Sequence, residues 1–123
     1  MFEISVRRPF SASHALTGNK GLIEAPHGHC FECEVKIASK TLGEGGMGVD
    51  FCCVDEALNA IVGPIEGRSL NDSLLLEGKS PSAENIALAI FNMLGERLPQ
   101  EALLRSVTVW EDSDHSATYY GER

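Results

Sequence analysis

Three of the chain's four histidines, His14, His27 and His29, fall within sixteen residues of one another. Imidazole is the side chain best suited to proton transfer near neutral pH and to holding transition metals. His27 and His29 flank Gly28, and in an extended segment residues two apart project to the same side. Gly28 has no Cβ, so the backbone can come close to whatever the two imidazoles hold. His14 ends a run in which Phe2, Ile4, Val6, Phe10 and Ala12 share its parity, the alternation of a strand with one buried face. A second alternation, His29, Phe31, Cys33, Val35 and Ile37, starts at the His-Gly-His. Antiparallel pairing of the two runs sets His14, at the end of one, beside His29 at the start of the other. Three neutral imidazoles without a fourth Cys or His at the same place match zinc with an open position, the arrangement of a catalytic metal. A His-x-His alone is a weak signal, and such pairs also occur as solvated strand residues.

The elements that must position these residues follow from periodicity and breakers. The two strands are joined by residues 15–26, with Gly18, Asn19, Gly21 and Pro26 as breakers. The second strand runs over 29–39, followed by a glycine-rich connection at Gly43, Gly45, Gly46 and Gly48. Val54, Leu58, Ile61, Val62 and Ile65 make a helical stripe, with Asp50 placed to cap it. Residues 65–79 read as irregular. A second helix starts near Ser82, buries Ile86, Ala87, Ile90, Phe91, Leu94 and Leu98, and stops at Pro99. Strands are expected over 103–111 and 117–120. The order is ββααββ, an α+β domain spanning 1–123: an antiparallel four-stranded sheet with two helices on one face. Two helices leave the edge strands unpaired, which favours assembly through sheet edges.

Composition narrows the partners. With 18 acidic against 10 basic residues in 123, the net charge is −8, which argues against nucleic acid and anionic membranes. No apolar run approaches the ~20 residues of a membrane span. The start, Met-Phe-Glu-Ile-Ser, lacks the basic and apolar blocks of a signal peptide, so a cytoplasmic protein with reduced thiols is expected. Cys30 and Cys33 fall on opposite strand faces and suit neither a disulfide nor a shared metal. All four cysteines, with Cys52 and Cys53, read as packing residues.

Phe10-Ser11-Ala12-Ser13-His14, His27-Gly28-His29, Gly48-Val49-Asp50-Phe51, Leu70-Asn71, Pro81-Ser82-Ala83-Glu84-Asn85-Ile86-Ala87 and Trp110-Glu111 occur in this order. Together they resemble the 6-pyruvoyl-tetrahydropterin synthase and 6-carboxytetrahydropterin synthase family, over nearly the whole chain. The resemblance implies the tunnelling fold (T-fold), in which three subunits close a barrel and two rings stack into a homohexamer with sites at subunit boundaries. It implies zinc on His14, His27 and His29, and a zinc-dependent lyase acting on the side chain of a pterin, 7,8-dihydroneopterin triphosphate. It also implies that Glu111 anchors the pterin ring, since two carboxylate oxygens match a guanidine-like pair of N–H groups. Glu84 matches a family motif, although an acid in a helix's first turn needs no further reason. Asp50 is open between cap and pocket residue.

Two departures bear on the reaction. Most members carry a catalytic cysteine four residues before the His-Gly-His, where this chain has Ile23. Glu24 instead gives Glu-x-x-His-Gly-His, with Lys20-Gly21 upstream, and resembles a branch in which glutamate replaces cysteine and 6-hydroxymethyl-7,8-dihydropterin is released. A glutamate beside zinc can serve as acid–base. The family's Asp-His pair before Leu-Asn is here Glu66-Gly67, and Asp114-His115, after Glu111, is a candidate substitute that also fits a plain surface turn. The expected reaction is thus formation of a 6-carboxy- or 6-pyruvoyl-tetrahydropterin, for queuosine-precursor or other pterin biosynthesis. The alternatives are Glu24-dependent release of the hydroxymethyl pterin, for folate synthesis, and a non-catalytic pterin- or zinc-binding paralogue. Lys20, Arg68 and Lys79 are available for phosphates.

Overall fold

The computed structural model describes residues 1–121. Its frame is two long strands, β1 (Phe2–His14) and, after a hairpin of β2 (Thr17–Gly18) and β3 (Gly21–Leu22), β4 (His27–Ser39). They pair antiparallel along their whole length, with Phe2 opposite Ser39 and His14 opposite His27. Next come α1 (Phe51–Val62), a short β5 (Arg68–Ser69), α2 (Ala83–Arg97), β6 (Leu103–Trp110) and β7 (Ser116–Tyr120). The sheet order is β5-β1-β4-β6-β7, antiparallel except for β5.

Strand alternation separates the two faces. Val6, Phe10 and Ala12 of β1, Phe31, Cys33, Val35 and Ile37 of β4, and Val107 and Val109 of β6 are buried on the helix side. Against them pack Val54, Ala57, Leu58, Ile61 and Val62 of α1, and Ala83, Ile86, Ala87, Ile90 and Leu94 of α2. Each Val, Leu, Ile or Phe among them contributes roughly 1.5–3 kcal/mol of burial, and the alanines less. The opposite face is polar. There Ser5 Oγ donates to Glu34 at 2.9 Å, Arg7 pairs with Glu32 at 2.9 Å, and the Arg7 guanidinium lies over the Trp110 ring.

The helix ends are set by the expected residues. Asp50 accepts the Cys52 N–H at 3.0 Å and starts α1; Ser82 accepts the Asn85 N–H at 3.1 Å and starts α2. Before Pro99, Leu98 is extended (φ −86°, ψ 156°), which ends α2.

Three expectations are corrected. β4 begins at His27 rather than at 29, so His27 faces His14 across the ladder and His29 faces Ala12. The 65–79 stretch contains β5, parallel to Ala12 and Ser13, and the first connection contains the β2–β3 hairpin. Two-residue ladders carry no periodicity to read. Of the cysteines, only Cys33 is fully buried, whereas Cys53 is half-buried and Cys30 and Cys52 are exposed rather than packed in the core. Burial, with Glu34 and Glu32 nearby, pushes the Cys33 thiol up to about 12 despite Arg8.

Candidate metal centre

β1 and β4 share a parity on the helix face, and that parity carries past Phe10 and Phe31 to the histidines at their joined ends. Phe10 stacks on Phe31 with ring centroids 5.2 Å apart, and Phe31 meets His14 edge-on at 5.2 Å and His29 at 5.4 Å. On this aromatic floor the three imidazoles stand steeply inclined to one another, with centroids 4.7–5.1 Å apart. One nitrogen from each lies within 4.8 Å of the others. His14 is buried, at 2 % exposure; His29 is half-buried and His27 is exposed at the mouth.

Hydrogen bonds fix which nitrogens are free. His14 Nδ1 sits 2.7 Å from the Pro81 carbonyl, and a carbonyl only accepts, so Nδ1 carries the proton. Nε2 of His14 therefore holds a lone pair, and it is the one buried side-chain polar atom without a partner among the described residues. His27 Nδ1 likewise donates to the Ala25 carbonyl at 3.0 Å, which again leaves Nε2 as the acceptor. A buried acceptor left unpaired costs about 1–3 kcal/mol. Binding a cation at Nε2 would remove that cost, and second nitrogens bonded to carbonyls are the usual support of metal-binding imidazoles. The residues fit a divalent transition metal with three nitrogen ligands.

The chain just after His14 is held at every amide. Ala15 N–H donates to Asn71 Oδ1 at 2.9 Å, and Ala15 C=O accepts from Asn71 Nδ2 at 2.8 Å. Leu16 N–H donates to Glu24 Oε1 at 3.0 Å, Leu16 C=O accepts from Ile23 N–H at 2.9 Å, and Thr17 N–H donates to Ser80 Oγ at 2.9 Å. Glu24 is thus half-buried and tethered two residues from His14 through one oxygen. Asn71, Ser80, Asn85 and the Pro81 carbonyl had no role assigned from sequence. Leu70-Asn71 and the Pro81–Asn85 stretch were visible as motifs, but partners that are backbone atoms leave no pattern to find.

The remaining candidates are spread out. β6 pairs Trp110 with Glu32, so Glu111 follows at the sheet end that carries the histidines; it is half-buried, and its N–H donates to the His115 carbonyl. Glu84 lies exposed in the first turn of α2, just past Pro81. Asp50 is not brought to the histidines within one chain. It caps α1 near Gly48, which abuts Ser39 at the opposite end of β4. The expected Asp114-His115 pair does not form: His115 Nδ1 bonds Asp112 at 2.8 Å in an exposed turn, and Asp112 also accepts the Asp114 N–H at 2.8 Å. An aspartate bonds readily to the amide two residues on, so Asp112 rather than Asp114 organises the turn. Those contacts, the Asp114 amide first, hold the Asp112 carboxyl below the usual range. Glu66, at the position of the family's missing aspartate, accepts the Ser11 N–H at 2.9 Å and pairs with Arg8 at 2.9 Å, which lowers its carboxyl too. Arg68 and Lys79 line a cleft of about 960 Å³ beside α1 and α2 that includes none of the three histidines, and Lys20 is exposed in the β2–β3 turn.

A sheet of four main antiparallel strands backed by two helices, with three histidines at the joined ends of its longest pair, is the T-fold. The sequence profile of the 6-pyruvoyl tetrahydropterin synthase family matches residues 3–122, and the chain belongs to this family. A relative from Archaeoglobus fulgidus, provisionally named a 6-carboxy-5,6,7,8-tetrahydropterin synthase, is 34% identical over 111 residues, 90% of this chain and 89% of its own. Another, a dihydroneopterin monophosphate aldolase from Pyrococcus furiosus, is 29% identical over 111 residues, 90% of each chain. Among solved structures, a 6-pyruvoyltetrahydropterin synthase from Plasmodium vivax superposes with a TM-score of 0.80 at 16% identity, covering 99% of this chain and 98% of its own. That structure is of a variant in which a glutamate, its catalytic residue, is replaced by alanine.

Proposed function

We propose that this chain is a zinc-dependent pterin side-chain lyase acting on 7,8-dihydroneopterin triphosphate or a closely related dihydroneopterin phosphate. The observation that carries the reading is the buried, unpartnered Nε2 of His14, facing two further imidazoles at a sheet end that also carries Glu24 and Glu111. Bound by His14, His27 and His29, zinc would supply Lewis-acid polarisation of the side chain's oxygens without redox chemistry.

The chain's own residues would do the rest. Glu111 would take the pterin's 2-amino and ring N–H groups on its two carboxylate oxygens. Glu24, tethered through Oε1 to the Leu16 amide, would move protons through Oε2. Breaking the bond between the first two side-chain carbons needs a proton taken from the hydroxyl of the second carbon. The bond's electron pair passes into the ring's conjugated C=N system, and the first carbon then takes up a proton. One carboxylate can both accept the first proton and return the second.

Two branches differ in product, and the tethered Glu24 favours release of 6-hydroxymethyl-7,8-dihydropterin over a 6-carboxy- or 6-pyruvoyl-tetrahydropterin. Ile23, where most members carry the cysteine, is exposed and offers no thiol. The aldolase name of the Pyrococcus furiosus relative and the catalytic glutamate of the Plasmodium vivax protein support the same branch. The test is incubation of the zinc-loaded protein with dihydroneopterin mono- and triphosphate, followed by product identification. The hydroxymethyl pterin with a phosphorylated glycolaldehyde is expected. A 6-carboxy product would return the chain to the other branch. One bound zinc with no turnover of either substrate would leave a non-catalytic binder and end the proposal.

A further inference from the structure

His14 is anchored from a distant part of the chain, and the anchor is itself held. The Pro81 carbonyl that receives His14 Nδ1–H lies sixty-seven residues away in sequence, in the segment that leads into α2. The Pro81 ring fixes its own φ. The preceding carbonyl, of Ser80, accepts from the side-chain Nδ2 of Asn85 at 2.8 Å, and the backbone N–H of Asn85 donates to Ser82 Oγ. Because the acceptor is a carbonyl, the group turned to it must be the NH₂ of Asn85. Ser80 Oγ meanwhile holds Thr17 N–H, so the same residue grips the strand exit that follows His14.

We propose that Asn85 is a positioning residue for His14. By holding the Ser80 carbonyl it sets the orientation of the Ser80–Pro81 segment, so that the Pro81 carbonyl meets His14 Nδ1–H. The Nε2 lone pair then stays turned into the site. Ser82 alone caps the helix and would suffice to start α2; the Asn85 side chain adds nothing to the helix's own ladder. Its side-chain NH₂ is spent on the backbone two residues before the cap, where it bears on the place of Ser80 and of the Pro81 carbonyl that follows. This inference rests on the reading of the three histidines as metal ligands, but its geometry stands in the metal-free protein.

Asn85→Asp separates the roles. Aspartate keeps the size and, in the first turn of a helix, is favoured by the dipole, so α2 should form. A carboxylate cannot donate to Ser80 C=O, so the hold is lost. Two readouts are needed: zinc affinity by competition with a chromophoric chelator, and the tautomer of His14 by long-range ¹H–¹⁵N correlation in zinc-free protein. Asn85→Asp should bind zinc about 10–100-fold more weakly, the usual effect of losing a ligand's support. Its His14 ring should lose the single Nδ1–H pattern. Asn92→Asp, exposed on the same helix, should change neither. An Asn85→Asp protein that melts with the parent, binds zinc as tightly and keeps the Nδ1–H form would overturn the proposal. So would a parent whose His14 is protonated on Nε2, whatever the variant does. A parent that binds no zinc, yet whose His14 tautomer shifts in Asn85→Asp, would remove the metal reading and support the positioning role.

Discussion

At the scale of single residues, a neutral imidazole with one nitrogen bonded to a carbonyl and the other buried against two more imidazoles has its chemistry prepared in advance. Nε2 of His14 has no partner while Nδ1 holds the Pro81 carbonyl. Metal analysis should therefore find one zinc per chain in the parent and a loss of at least tenfold in affinity for His27→Ala, which removes a first ligand. Glu24→Gln should keep zinc content and lower turnover by about 10²–10⁴, the range of a positioned acid–base. Replacing Cys30, Cys33, Cys52 and Cys53 should cost stability at buried Cys33 and little turnover. Turnover abolished by Cys30→Ala, with Glu24→Gln mild, would reverse the assignment. The clustering of His14, His27 and His29 was legible because strand parity and spacing are written in the sequence. Their supports were not, since the Pro81 carbonyl is a backbone atom that any residue could supply. Asp114 was misplaced for a related reason: sequence adjacency suggested the pair with His115, whereas turn geometry gave the partner's place to Asp112.

At the scale of elements, the two long strands and both helices could be read from alternation and from caps, and Asp50 and Ser82 act as their positions suggested. β5 could not, because a two-residue parallel ladder is defined by the strand it touches. The polar face of the sheet carries a pH dependence of its own. Burial works against ionising Glu34, but hydrogen bonds from Ser5 and Trp110, with Arg7 and Lys36 nearby, outweigh it and hold its carboxyl below the usual glutamate range. A depressed carboxyl stabilises the folded state above its unfolded value, and that contribution is lost as pH falls through the folded one. Denaturant midpoints measured from pH 6 to pH 3 should fall for the parent once the pH drops below about 4.3, the ordinary glutamate value, and less steeply for Glu34→Gln. Equal slopes would show that Glu34 does not couple the strands β1, β4 and β6.

At the scale of the molecule, among the described residues β7 ends the sheet with an unpaired edge, and β1 is covered by β5 only at Ala12 and Ser13. Phe2 is 50% and Tyr120 71% exposed near those two edges. Free edges flanked by aromatics favour pairing with further copies, so light scattering should give a hexamer of 13.3 kDa chains, and a monomer at micromolar concentration would remove that expectation. No helix among the described residues is long and apolar enough to cross a membrane. Assembly would also give Asp50, remote from the histidines of its own chain, a route to a neighbour's site. The stretch from Ala15 to Thr17 has a different consequence. It is the link from β1 into β2, yet three successive amides each donate to a side chain from a different segment, Asn71, Glu24 and Ser80. Amide protons in ordinary loops trade with solvent quickly, because opening them disturbs little. In deuterated water these three should persist longer than the amides of an ordinary loop, because each is held by a side chain from a separate segment.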